Sequence, residues 1–430
     1  MFSFLKNAFT IKDIRQRILF TLFILAVFRL GSHIPVPGVN AAAIQALSQT
    51  GLLGILNTFG GGALQRYSIF AMGVSPYITA SIIVQLLQMD IIPKLTEWAN
   101  QGEVGRRKLN QTTTYTAIVL GFIQSIGISV GFNALSGAGL VKNPSLATYL
   151  TIALVLTAGT MFLIWLGEQI TRNGIGNGVS MLIFAGIVAE VPKEIYNYIS
   201  TNIVGAGEKL GMNMLILLAV VVAIVALIVI VVLMERAQRR IPIHHSKKAS
   251  GASHTAHLPL KINSAGVIPV IFASSFITTP QTILGFMNTD SENALMQFFV
   301  NITNLQHPLG AIFYTVLIIA FAYFYALVQV NPEKVAENLQ KQSAYIPSVR
   351  PGHDTELYIT NLINRLSGVG AFYLTFIAVM PIVIGFIWDV PMQISLSGTS
   401  LLIVVGVAIE TAKQIEGRMV KRRYQGFLQD

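Results

Sequence analysis

The sequence predicts an all-α membrane protein: ten transmembrane helices in two inverted, pseudo-symmetric five-helix halves. Three observations carry that prediction. Charged residues make up 11% of the 430 against 53% hydrophobic, and they are gathered into the gaps between apolar runs, where a soluble protein would spread them. Lys and Arg favour alternate gaps. The pattern Gly-Val-x-Pro-x-Ile-x-Ala-Ser occurs twice, as Gly73 to Ser81 and as Gly266 to Ser274, each time opening a long uncharged apolar run. An internal repeat of that kind marks two related halves whose matching helices face each other across a shared path.

Runs long enough to cross a hydrocarbon core, roughly 17 to 25 residues each, fall at 18–36, 73–90, 112–134, 147–167, 179–197, 213–234, 264–286, 308–330, 366–388 and 395–414. Ahead of the first, Met1 to Arg17 lacks the small-residue processing site of a cleavable signal. Its Phe2, Leu5 and Phe9 against Lys6, Lys12, Arg15 and Arg17 suggest an amphipathic helix lying on the inner leaflet. After span one, Pro37 to Met72 holds no acidic residue, a single basic one (Arg66) and the run Asn57-Thr-Phe-Gly-Gly-Gly-Ala-Leu64. Such a segment either folds back toward a cavity, with apolar residues enough for a short helix, or is an ordinary outer loop.

Span two opens on the first repeat. Val74 and Ile78 are four apart and so share a helix face. Pro76 sits where a missing N–H is cheap if the helix starts there, and would kink it further in. Between spans four and five, Gly174-Ile-Gly-Asn-Gly178 follows a membrane helix rather than a strand. It therefore reads as a cytoplasmic turn with Asn177 near the next helix cap, and not as a phosphate loop. Around Ser200 to Gly211, Asn202, Gly205, Gly207 and Gly211 interrupt the apolar pattern and place the hinge between the halves, residues 1–204 and 205–430. Arg236 to Lys261 is polar and charged and should project as a docking surface. It holds His244, His245, His254 and His257, but a solvated loop with neither cysteine nor a nearby acid is a poor metal site, and neither metal nor cofactor is expected. Span seven repeats the motif with Val267, Pro269 and Ile271. A second projecting loop, Asn331 to Arg365, separates spans eight and nine.

With the N-terminus inside, 24 of the 29 Lys and Arg residues lie on the inner side, and the outer side keeps Arg29, Arg66, Lys142, Lys193 and Lys209. Both termini are then cytoplasmic. Five spans per half is odd, so the second half enters the membrane in the opposite direction. Ion-coupled transporters need ionisable groups at depth, yet only Arg29, Glu190, Glu410 and Lys413 stand out, and all four are expected to snorkel toward an interface. Paired catalytic side chains at depth, as an intramembrane enzyme requires, are not evident, nor is a nucleotide-binding Gly-x-x-x-x-Gly-Lys-Ser/Thr motif. What remains is a hydrophobic constriction. Aliphatic side chains from opposite walls block ions by making a wet gap unfavourable, and such a collar can yield to a flexible chain and reclose.

Four stretches carry a resemblance: Gly73-Val-Ser-Pro-Tyr-Ile-Thr-Ala-Ser-Ile-Ile-Val-Gln-Leu-Leu87, Gly167-Glu-Gln-Ile-Thr-Arg-Asn-Gly-Ile-Gly-Asn-Gly178, Ala265-Gly-Val-Ile-Pro-Val-Ile-Phe-Ala-Ser274 and Tyr345-Ile-Pro-Ser-Val-Arg-Pro-Gly352. Together, and in this order, they resemble the SecY family, the channel subunits of bacterial Sec protein translocons. The resemblance implies a central hourglass pore in the cytoplasmic membrane that passes unfolded secretory polypeptides and releases apolar segments sideways into lipid. It implies a pore ring at Val74, Ile78, Ile183, Ile271 and Ile403, with Val179 and Val267. A plug helix would span about 58–71, taking in Thr58, Phe59, Gly60, Gly61, Gly62, Ala63, Leu64 and Tyr67. A lateral gate would lie between spans two and three on one side and seven and eight on the other, with Thr79, Gln124 and Ser275 near the seam. Cytoplasmic docking would fall to Arg350, helped by Arg239, Arg240, Lys247 and Lys248. The implied partners are a SecE-like clamp subunit, a SecG-like small subunit, a SecA-type motor ATPase, the ribosome, polypeptides bearing signal sequences, and the lipid bilayer. One stretch departs from the family pattern: between Ile243 and Leu258 a longer, more basic tip is usual, and here it is histidine-rich.

Overall fold

The computed structural model describes residues 9–40, 60–89, 91–135, 139–202, 210–245, 256–284, 294–305, 307–387 and 398–426. Each of the ten apolar runs overlaps a helix. In chain order these are α1 (Lys12–Gly31), α2 (Ser75–Leu87), α4 (Gly102–Leu135), α5 (Leu146–Asn173), α6 (Gly178–Asn202), α7 (Leu210–Arg236), α8 (Ile268–Leu284), α10 (Pro308–Val330), α12 (His353–Ile387) and α13 (Gly398–Gly426). Shorter helices α3 (Pro93–Asn100), α9 (Ala294–Thr303) and α11 (Pro332–Lys341) lie in the connections. Among the described residues six segments are long and apolar enough to cross a membrane: Gly102–Asn133, Leu146–Asn173, Asn213–Arg236, Pro308–Lys341, His353–Val383 and Gly398–Met419.

Helix packing has the same order in both parts of the chain. In the first, α2 packs on α4, α4 on α5, α5 on α6, and α1 on α6; in the second, α8 packs on α10, α10 on α12, α12 on α13, and α7 on α13. The two parts meet where α8 packs against α2 and α4, and where α13 packs against α6. A large apolar core runs through this junction, drawing on α1, α2, α5, α6, α8, α10, α12 and α13. Helix α7 contributes little to it: Leu215, Leu218, Val222, Val225, Val229 and Leu233 all face outward.

Several boundaries differ from the sequence reading. The expected N-terminal amphipathic helix is described only at its end: Phe9 and Thr10 are helical, Ile11 breaks the helix with an extended backbone, and Lys12 to Arg17 are the first turns of α1, with Ile14 buried beside Ile175 and Ile415. Helix α4 begins about ten residues before its apolar run. Thr112, Thr113, Thr114 and Thr116 each donate a hydroxyl to the carbonyl one turn back, so a polar stretch stays helical without unsatisfied groups. Helix α12 likewise starts at His353, inside the expected 331–365 loop.

The larger miss is a small sheet. Strand β1 (Gln238–His245) pairs antiparallel with β2 (Ala256–Lys261), from Gln238 opposite Lys261 to Ile243 opposite Ala256, and on its other side with β3 (Ala344–Tyr345). The two projecting loops are therefore one unit. Ile241, Ile243 and Leu260 bury against Leu339 of α11 and Ile359 and Ile363 of α12, which gives the projection a core of its own.

Candidate functional site: an aliphatic cluster beneath a glycine turn

Both copies of the repeat adopt the same local conformation. Gly73 and Gly266 take positive φ, 57° and 64°, a backbone region that costs glycine nothing. Each is followed by a helix with proline in its first turn, Pro76 in α2 and Pro269 in α8, so both prolines begin helices and neither kinks one. The residue just before each helix, Val74 or Val267, thereby stands at its N-terminal end. Val74, Ile78, Ile183, Ile271 and Ile403 are all buried within the single central core, and Val179 and Val267 pack against it partly buried. Close backbone approach holds two of the helices here. A methyl group on Gly406 of α13 would meet Val267 Cγ1 at 2.8 Å.

Of the segment expected to be a plug helix, Thr58 and Phe59 lie outside the described residues, and the rest is not helical beyond Gly60. Residues 61–74 are a succession of turns and one bridge, because Gly61, Gly62 and Tyr67 take positive φ of 63°, 77° and 44°. The segment is nevertheless buried. Ala63 belongs to the central core, while Leu64 and Tyr67 join Val36, Ile128, Phe132 and Leu156 in a second, outer cluster. Val36 N–H donates to the Tyr67 carbonyl at 2.9 Å and Ile69 N–H to the Ile34 carbonyl at 3.0 Å. Tyr67 shares a 2.8 Å hydrogen bond with Ser129, whose own proton goes to the Ser125 carbonyl at 2.6 Å; Tyr67 is therefore the donor. Burial pushes its hydroxyl above the ordinary phenol range, so it remains protonated. Phe70 stacks between Phe28 and Phe162, at 6.1 Å from each. Gly159 has no room for a side chain, since a methyl there would run into the Ile69 carbonyl.

Thr79 and Gln124 converge, but on a residue the sequence reading missed. Thr279 Oγ1 lies 3.3 Å from Thr79 Oγ1, accepts from Gln124 Nε2 at 3.3 Å, and donates to the Ser275 carbonyl at 2.9 Å. Ser275 is buried and enters only through that carbonyl. A cavity of about 10 Å³, on the scale of one water molecule, lies between Leu64, Ser75, Gln124, Ile128, Thr278 and Thr279. This seam therefore touches the outer segment through Leu64. The Ser-Ser-Phe-Ile-Thr-Thr run, with hydroxyls four apart on α8, was the available signal.

On the opposite side, the Gly174–Gly178 turn is a joint. Ile175 N–H donates to Thr21 Oγ1 at 3.1 Å, Gly176 N–H to Gln414 Oε1 of α13 at 3.1 Å, and Asn177 Oδ1 accepts from Ser180 N–H at 3.3 Å. Arg239 and Arg240 are exposed on β1 and Arg350 is exposed beyond β3. Lys247 and Lys248 lie outside the described residues. Glu410 and Lys413 are exposed, as snorkelling side chains are. Glu190 corrects the reading: it is 5% exposed and faces the glycine turn, as does the guanidinium of Arg29.

The fold is that of the protein-conducting channels. It superposes on the solved structure of such a channel with a TM-score of 0.67 at 17% identity, over 94% of this chain and 93% of that one, and on Sec61 of a canine ribosome–channel complex from the endoplasmic reticulum with a TM-score of 0.65 at 17% identity, over 94% and 93%. In sequence the chain is 52% identical to protein translocase subunit SecY 1 of Lactobacillus kefiranofaciens subsp. kefiranofaciens over the full length of both. The SecY family model matches residues 68–412; the chain belongs to the SecY family.

Proposed function

We propose that this chain is the channel subunit of a bacterial protein translocase, conducting unfolded secretory polypeptides across the cytoplasmic membrane and releasing hydrophobic segments sideways into it. Ten spans run as two inverted halves, 1–204 and 205–430, with both termini cytoplasmic. The observation that carries this reading is the burial of Val74, Ile78, Ile183, Ile271 and Ile403, drawn from four helices and both halves, in one uncharged core. The parallel packing order of the halves supports the inverted repeat.

An aliphatic ring in that place excludes water and ions at rest and gives way to a threaded chain, because its contacts are non-directional. The segment from 60 to 71 closes the outer side as a plug. Sideways release is a partition. An apolar segment of about 20 residues gains roughly 0.3 to 0.6 kcal/mol for each Leu, Ile, Val or Phe near the bilayer centre, whereas polar chain gains nothing there and continues across. The exit is the seam of Thr79, Gln124, Ser275 and Thr279. Directionality comes from outside the chain: a SecA-type motor or a ribosome docked on the cytoplasmic sheet through Arg239, Arg240, Lys247, Lys248 and Arg350. SecE-like and SecG-like subunits hold the two halves from the lipid side.

The test is reconstitution. Vesicles containing the full chain with clamp subunit and motor should render an added secretory precursor resistant to external protease, and only while ATP is supplied. Uptake of small solutes without precursor protection would contradict the reading.

A further inference from the structure

Three charged side chains from two helices converge on three residues near the start of the plug, Gly61, Gly62 and Gln65. Arg29, near the end of α1, donates from Nη1 to the Gly61 carbonyl at 2.8 Å. The Glu190 carboxylate of α6 lies against Gly62 so closely that a methyl on that glycine would overlap it. Lys193 pairs with Glu190 at 3.8 Å and donates to Gln65 Oε1 at 2.8 Å. The glycines make the approach possible. Both have positive φ, and a methyl on Gly61 would come within 2.7 Å of the Gly186 backbone.

Position on α6 connects these charges to the pore. Ile183, Gly186 and Glu190 recur at spacings of three and four and so share one helix face. The glycine turn thus sits outward of the aliphatic core, with Glu190 about 10 Å along the helix from Ile183. Arg29 and Glu190 both lie within apolar runs of the first half. Free snorkelling accounts for neither, since each is turned onto the plug.

We propose that Arg29, Glu190 and Lys193 form an ionic latch that holds the plug closed, so that the outer seal is set by charge-assisted contacts distinct from the aliphatic ring. This rests on reading residues 60–71 as a plug. Hydrogen bonds with one charged partner are about twice as strong as neutral ones, and they weaken when water enters the mouth. The latch is therefore firm while the pore is dry and loosens once a translocating chain wets it.

The chain has no cysteine, so Leu64→Cys places a sole thiol on the buried face of the plug. Reaction of that thiol with a small water-soluble maleimide, in membranes carrying the full chain and open to reagent on both faces, reads plug release. Arg29→Gln or Glu190→Gln should speed labelling about tenfold or more. A separate Ala273→Cys reporter, fully buried in α8, should stay slow in the same variants. Should a variant speed both reporters, its fold has loosened, and Lys193→Gln, at the more exposed end of the network, decides instead. Labelling of Leu64→Cys that stays slow in all latch variants, while deletion of residues 60–71 raises ion leak, overturns the latch and leaves the plug standing. If the deletion leaves the leak unchanged, the plug reading itself falls.

Discussion

Ile183 shows why the proposed seal would need no charge. It lies 2% exposed in the central core with Val74, Ile78, Ile271 and Ile403, and a gap lined only by such side chains offers water no partner. Ile183→Asn supplies one, so a vesicle ion-flux assay should show the resting leak rise severalfold, whereas Ile183→Leu should leave it near the parent value. Tyr67→Phe removes the hydrogen bond to Ser129 while keeping the ring packed near Phe132. It should cost about 0.5 to 1.5 kcal/mol, read as a lower thermal midpoint. Residues differed in how legible they were. Val74, Ile78, Val267 and Ile271 announced themselves by duplication, but Ile183 and Ile403 have no such mark and were reached through family resemblance. Glu190 was misread because a charge's position along an apolar run says how deep it lies and nothing about what it faces. Thr279 escaped because a hydroxyl in an apolar helix ordinarily bonds its own backbone, which it also does here.

At the scale of elements, the proposed sideways exit lies between α2 and α8. Their threonines 79 and 279 stand with hydroxyl oxygens 3.3 Å apart, close enough for paired cysteines to meet disulfide geometry. Thr79→Cys with Thr279→Cys, in a chain otherwise without cysteine, should therefore oxidise to one cross-link. Membrane insertion of a signal-bearing precursor should stop in the oxidised form and recover on reduction; insertion that continues unchanged would place the exit elsewhere. All ten apolar helices could be read from hydropathy, since lipid forces each backbone to satisfy itself. The extensions of α4 and α12 beyond their apolar runs could not, because those turns are polar, with acidic residues in the first turn, and carry no apolar periodicity. The sheet was legible in principle. Ile241 and Ile243 alternate with exposed neighbours, a period of two, but the strands are short and β3 arrives from a loop about a hundred residues further on. The turns that follow Gly60 begin with Gly61 and Gly62, whose positive φ no helix accommodates.

For the whole molecule, the order in which α2, α4, α5, α6 and α1 pack is repeated by α8, α10, α12, α13 and α7, and the halves touch through matching members, α2 with α8 and α6 with α13. That arrangement puts one wall of the aliphatic core on each half; in the proposed opening the halves part along the α2–α8 seam while the α6–α13 side, tied by Gly176 and Gln414, stays joined. The central claim is that a threaded polypeptide meets its narrowest passage at this shared collar. The most direct measurement places a photoreactive residue at Ile78 in one sample and at Ile271 in another, each with the same secretory chain stalled midway. Both positions should cross-link to the same short stretch of that chain, while a probe at Leu154, exposed on the outside of α5, should not. Cross-links from one half only, or from Leu154 as readily as from the collar, would contradict the account.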